Sequence, residues 1–287
     1  MPKAVTQPYA KGRRQCIFCE GYGVTKEHLF AEWMKMLFPR DGSTTHTAAH
    51  ITWPDKIISR VPKDIRMQRQ GHIGSKRARV VCGKCNNGWL SQLETWAKKA
   101  IPPMAIGRRC NLVPEGQAKL ATWAVKTAMV AEQLQLREIG ITQAERTFLM
   151  VNQAPPDGWY VYVGSYVGGD WAELSVFQTR GRVSPTPLLH PDKAPHYVQA
   201  TTFGAGHILF SVVSSSLPSA VAKFSRWEPY KLIQIWPPQP RSVLWPAIDT
   251  LTDSDAYDVA NILRRSDAFN HALDPGADWA FTGFGSA

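Results

Sequence analysis

The sequence predicts an α+β chain in two parts: a zinc-stapled module over residues 1–110, then an α+β domain with an antiparallel sheet over residues 111–287. Three observations carry this. Four of the five cysteines form two C-x-x-C pairs, "CIFC" and "CGKC", the spacing with which two turns hold one tetrahedral zinc. Five strand-like runs follow one another beyond residue 155 with no helix long enough for a parallel crossover, which implies antiparallel neighbours. The net charge of +10 is also unevenly placed. Residues 1–110 carry 20 Lys and Arg against 7 Asp and Glu, and the remainder carries 13 against 16.

The elements follow in chain order. Residues 1–14 form a basic lead-in with no apolar core before a cleavage site, so a secretory signal is not expected and a reducing cytoplasm is. "QCIFCEGYGVTKEH" has the shape of a zinc knuckle running into a short extended segment. "LFAEWMKMLFP" has helical spacing, with Leu29, Trp33, Met36 and Leu37 on one face and Pro39 as the stop. The Thr-rich "RDGSTTHTAAHITW" predicts a strand or hairpin. A basic stretch then ends in a strand, Arg77 to Val81, that enters the second cysteine pair. Residues 86–100 repeat Trp89, Leu90, Leu93 and Trp96 at helical spacing, and Pro102 and Pro103 are expected to end that helix.

"GQAKLATWAVKTAMVAEQLQL" predicts a helix buried on a wide face. "TQAERTFLMV" predicts a second, opened by Thr142. The strands expected after it are "GWYVYVG", "WAELSVFQT", "YVQATTF", "HILFSVVS" and "YKLIQIWP", and a C-terminal helix is expected over residues 254–273.

No apolar run approaches the ~20 residues that a membrane-spanning helix needs, so no membrane partner is expected. The basic N-terminal part points to a polyanion, nucleic acid first. The C-terminal domain, slightly acidic, is the expected place for a homodimer contact or a partner protein.

If Cys16, Cys19, Cys82 and Cys85 close one structural Zn²⁺, the knuckle and the following helix are pinned together. Glu27 and His28 of "TKEH" would then meet Asn86 and Asn87 of "CGKCNNGW". A carboxylate and an amide oxygen are hard donors suited to Mg²⁺ or Mn²⁺ rather than to a thiolate-held zinc.

In "CIFC", "TKEH" and "CGKCNNGW", in that order, the chain resembles the HNH endonucleases of the ββα-metal fold, in their zinc-bearing four-cysteine branch. The resemblance covers about residues 14–100. "EHLFAEWM" with "CNNGWLSQLE" is similar to one bacterial and phage-associated subgroup, which implies a phage or anti-phage setting.

The resemblance implies a metal-dependent endonuclease acting on DNA, expected to be double-stranded. It makes His28 the general base, and Glu27 and Asn86 the ligands of a catalytic Mg²⁺ or Mn²⁺, with Asn87 as the alternative to Asn86. The family's middle asparagine has no counterpart, since no asparagine lies between Leu29 and Cys85. His72 or Gln70 stands nearest to replace it, with His46 and His50 as further candidates. Arg13, Arg14, Lys76, Arg77 and Arg79 are the residues expected to hold the phosphate backbone. The competing reading is a catalytically inactive, zinc-stabilised nucleic-acid-binding or regulatory protein.

Overall fold

The computed structural model describes residues 14–38, 45–52, 63–70, 73–135, 140–185, 196–216, 231–262 and 279–283. In the N-terminal part the order is β1 (Val24–His28), α1 (Met34–Leu37), β2 (Thr45–Thr52), β3 (Lys63–Gln70), β4 (Arg77–Cys82), α2 (Gly83–Cys85) and α3 (Ser91–Ala105). Then come β5 (Cys110–Leu112), α4 (Pro114–Gln135), α5 (Gln143–Asn152), β6 (Trp159–Tyr166), β7 (Ser175–Pro185), β8 (His196–Ala205) and β9 (Ile208–Ser215). The last described elements are β10 (Ile233–Trp236), β11 (Val243–Trp245), β12 (Thr250–Leu251), α6 (Asp253–Ala260) and β13 (Trp279–Gly283).

The mixed α+β class is as expected, and so is the antiparallel sheet. Its order is β10-β6-β9-β8-β7-β13, every pair antiparallel, with short β12 added parallel to β6. Helix α4 covers one face: Gln178 on β7 donates to the Ala128 carbonyl of α4 at 3.2 Å. Helix α6 covers the other, where Ala256, Val259 and Ala260 pack with Tyr162, Leu209 and Leu251.

Helix α4 is buried all round from Leu120 to Glu132, because its second side packs on the N-terminal elements. One apolar cluster joins Phe30, Met34, Val81 and Ile101 to Trp123, Ala128, Phe203 and Phe210. No described helix is long and apolar enough to cross a membrane.

Two helix expectations need correction. The helix expected from Leu29 is a single turn, Met34–Leu37. The Leu29 amide is taken by the Lys76 carbonyl at 2.9 Å, continuing the β1–β4 ladder, and strand pairing overrides the helical spacing there. Pro102 and Pro103 do not end α3, which runs on to Ala105. The last turn holds because Ile101, Met104 and Ala105 are buried. It closes when Ile106 and Arg108 donate back to the Pro102 and Pro103 carbonyls, and Gly107 turns the chain away at φ +72°.

Helix α5 begins as expected at Thr142, whose hydroxyl accepts from the Glu145 amide while Glu145 answers the Thr142 amide, a capping box. The helix expected over residues 254–273 is seen as α6; residues 263–278 lie outside the described residues. Arg13 and His72 lie outside them too, and of Gln70, His46 and His50 only the backbone, in β3 and β2, is described.

Candidate metal centre and the ribbon beside it

Two tight turns build the metal centre. In the first, Cys16 donates its amide to the Gly21 carbonyl and Glu20 to the Cys16 carbonyl. A Cβ at Gly21 would stand 3.2 Å from Cys19 Sγ, a tight contact, so glycine lets the chain pass beside the sulfur without displacing it. The second turn is β4 entering α2, where the Cys85 amide lies 3.5 Å from Cys82 Sγ.

Together they bring the sulfurs of Cys16, Cys19, Cys82 and Cys85 within 4.8 Å of one another. A tetrahedral Zn²⁺ with bonds of ~2.3 Å separates its sulfurs by about 3.8 Å, so the set is positioned to hold one. The thiols compete for charge. Desolvation raises Cys19 and opposes charge on Cys82, but hydrogen bonds from the Cys85 amide and neighbouring thiols bring Cys82 down to about 7. Burial and the same neighbours push Cys85 far up. Four thiolates can coexist here only around a cation. Cys110, on β5, is separate, and burial raises its thiol.

Helix α5 seats the knuckle. Thr147 and Gln143 donate to the Phe18 carbonyl at 3.1 and 3.4 Å, Phe18 meets Trp89 edge to face, and Met150 Sδ lies 3.7 Å from Cys85 Sγ.

From the knuckle the chain enters the β1–β4 ribbon. Val24 pairs with Cys82, Lys26 with Arg79, Glu27 with Ala78 and His28 with Arg77. Alternation sends successive side chains to opposite faces. One face carries Lys26, His28, Arg77 and Arg79, with both arginines and Lys26 exposed. Glu32 Oε1 neutralises part of it, 3.0 Å from Lys35 Nζ and 3.5 Å from an Arg77 nitrogen. His28 is half-buried, and among the described residues its Nε2 has no hydrogen-bond partner. Desolvation first, then the Arg77 charge, lowers the imidazole below its ordinary range, so it is uncharged at neutral pH.

The opposite face carries Thr25 and Glu27 toward the core. Thr25 donates to the Val81 carbonyl at 2.9 Å and accepts from Asn86 Nδ2 at 3.1 Å, which leaves the Asn86 amide oxygen available. Asn87 is exposed. Gly88, with φ −93° and ψ −114°, breaks the helical course between these asparagines and α3.

Glu27 is 7% exposed, and its one side-chain partner among the described residues is Lys126 Nζ of α4, 3.5 Å away. Burial raises this carboxyl, opposed by Lys126 and assisted by Glu94. Lys126 is itself fully buried and binds Glu94 Oε1 at 2.7 Å. Glu94 has a partner on each oxygen: Trp123 Nε1 donates to the same oxygen at 3.0 Å and Trp33 Nε1 to the other at 3.1 Å.

Of the residues singled out from the sequence, Glu27, His28, Asn86, Arg77 and Arg79 lie on one ribbon and its adjoining turn, with Lys76 beside it. Arg14, exposed, lies just before the knuckle. Sequence reading missed Lys126, Glu94, Trp33 and Trp123. One signal for Lys126 was present: a single lysine inside the mostly apolar run "ATWAVKTAMVA". Comparison with family models, curated proteins and solved structures finds no match for this chain.

Proposed function

We propose that the chain is an HNH-type phosphodiester hydrolase acting on DNA in the reducing cytoplasm, with β1, β4 and α3 as a ββα-metal module stapled by Zn²⁺. The observation that carries this is a pair of under-satisfied buried groups at the end of β1. Among the described residues the Glu27 carboxylate has one side-chain contact, at 3.5 Å, and His28 Nε2 has none. Native folds seldom leave such atoms unpaired without a functional reason.

The uncharged His28 suits a general base that takes a proton from a water at Nε2. Lys26, Arg77 and Arg79 share its face and suit the flanking phosphates. Glu27 and the Asn86 amide oxygen would hold a Mg²⁺ or Mn²⁺. The donor set fits, because a buried carboxylate with one long ion contact and a free amide oxygen are hard, available donors. When bound, that ion would stabilise charge on the phosphate and the leaving oxygen.

The test is plasmid nicking by the full-length, zinc-loaded protein with Mg²⁺ or Mn²⁺. Wild type should nick, and His28→Ala should lose about 100-fold or more. Cleavage that survives in His28→Ala would remove the assigned base. A second reading, a zinc-stabilised nucleic-acid-binding protein without catalysis, is favoured by one observation: an ammonium already stands at Glu27. Salt-sensitive DNA binding with no cleavage under any divalent ion would decide for it.

A further inference from the structure

Lys126 is an unusual group to find fully buried between two acids. Glu94 has both oxygens engaged, Oε1 by Lys126 and Trp123 and Oε2 by Trp33. Glu27 has the opposite character. Its contact with Lys126 involves Oε1 alone and at 3.5 Å exceeds a good hydrogen-bond length. The three charges, two carboxylates and one ammonium, leave the cluster a single net negative charge. Lys126 comes from α4, beyond residue 110, so the ribbon alone does not contain this cation.

Building on the nuclease reading, we propose that Lys126 is the charge-setting positioning residue of the Glu27 site: it holds one Glu27 oxygen, leaves the other for a divalent cation, and cancels the Glu94 charge. The site's affinity for a divalent ion is then set by an element of the C-terminal part. Two neighbouring carboxylates without that ammonium would grip such an ion far more tightly. With Lys126 present, the ion meets the equivalent of one carboxylate and an amide.

The test is Mn²⁺ binding to the full-length, zinc-loaded chain without nucleic acid, followed by the electron paramagnetic resonance signal of free Mn²⁺. Folding is checked by zinc stoichiometry and cooperative unfolding. Wild type should take up one Mn²⁺ that Glu27→Gln abolishes. Lys126→Met, with one more net negative charge, should bind it at least about tenfold more tightly. Glu94→Gln, with one fewer, should bind about tenfold more weakly. The double variant Lys126→Met/Glu94→Gln restores the net charge and should return to within about threefold of wild type.

Equal affinities across the folded variants, or no Mn²⁺ uptake by wild type, would overturn the proposal. If Lys126→Met does not fold, Glu94→Gln decides, and an unchanged affinity there overturns it. The two readings fail separately. The affinity order without any cleavage would remove only the nuclease assignment, whereas cleavage with a flat affinity series would remove only the role of Lys126.

Discussion

Helix α4 carries two buried ion clusters, and they differ in how completely they are satisfied. Toward its C-terminal end, Glu132 accepts from the Gly140 and Ile141 amides and pairs with Arg146, which also donates to the Met129 carbonyl. Both Glu132 oxygens have a close partner there, Oε1 the Gly140 amide at 2.8 Å and Oε2 the Arg146 guanidinium. One and a half turns earlier, Lys126 satisfies Glu94 and leaves Glu27 with a long contact. A closed cluster serves to fix how α4 and α5 pack. An open one keeps a charged oxygen unspent, and the fold accepts that desolvation cost beside a histidine whose Nε2 has no hydrogen-bond partner among the described residues.

The largest effect should come from the metal centre, which underlies both clusters by seating the knuckle on α5. Cys85→Ser, or stripping the metal with a strong chelator, should lower the melting temperature by more than about 10 °C, read by calorimetry with metal analysis. A zinc-free protein that melts like wild type would make the four-cysteine set incidental. Next, Arg146→Met should cost about 3–5 kcal/mol in denaturant unfolding, because Glu132 is left buried without its cation. Cleavage per folded molecule should stay within about twofold, as neither residue touches the ribbon. A loss of cleavage larger than the loss of folded protein would break the division between closed and open clusters.

A smaller effect is expected on the exposed ribbon face. Arg79→Ala should reduce the slope of log affinity for duplex DNA against log salt by about 1, with little change in stability. An unchanged slope would place the DNA elsewhere. The smallest belongs to α6, where hydrogen bonds from Lys231 and from the Thr252 cap depress Asp255 to about 2. Its folded value lies below its unfolded value, so its contribution is full above about pH 4 and lost as pH falls through about 2. Asp255→Asn should therefore cost under about 1 kcal/mol at pH 6 and nothing near pH 2. A pH-independent difference would contradict the assignment.

What the sequence shows, and what it hides, follows the range of the interactions. The cysteine set was legible because thiolate spacing has one dominant use. The cap at Thr142 and the wide buried face of α4 were legible because their signals are local, whereas its burial all round comes from the N-terminal elements packed on its second side. The length of α1 was not, since a ladder bond to Lys76 decided it against a good helical pattern. Nor was the extension of α3 through two prolines, which rests on packing of Ile101 and Met104.

At the candidate site, Glu27, His28 and Asn86 were read from short motifs. The partners that set the charge of Glu27 come from two distant helices, and periodicity cannot say which buried lysine meets which acid. A lone lysine in a mostly apolar run was the one available trace.

The most direct test of the open cluster is the thermal unfolding of Glu27→Gln beside its cleavage activity. Removing a buried carboxylate that has one long contact should leave the melting temperature unchanged or raise it, while Mn²⁺ binding and nicking are lost. A fall as large as that of Arg146→Met, with nicking retained, would show that Glu27 is a structural counter-ion like Glu132 and would contradict the account.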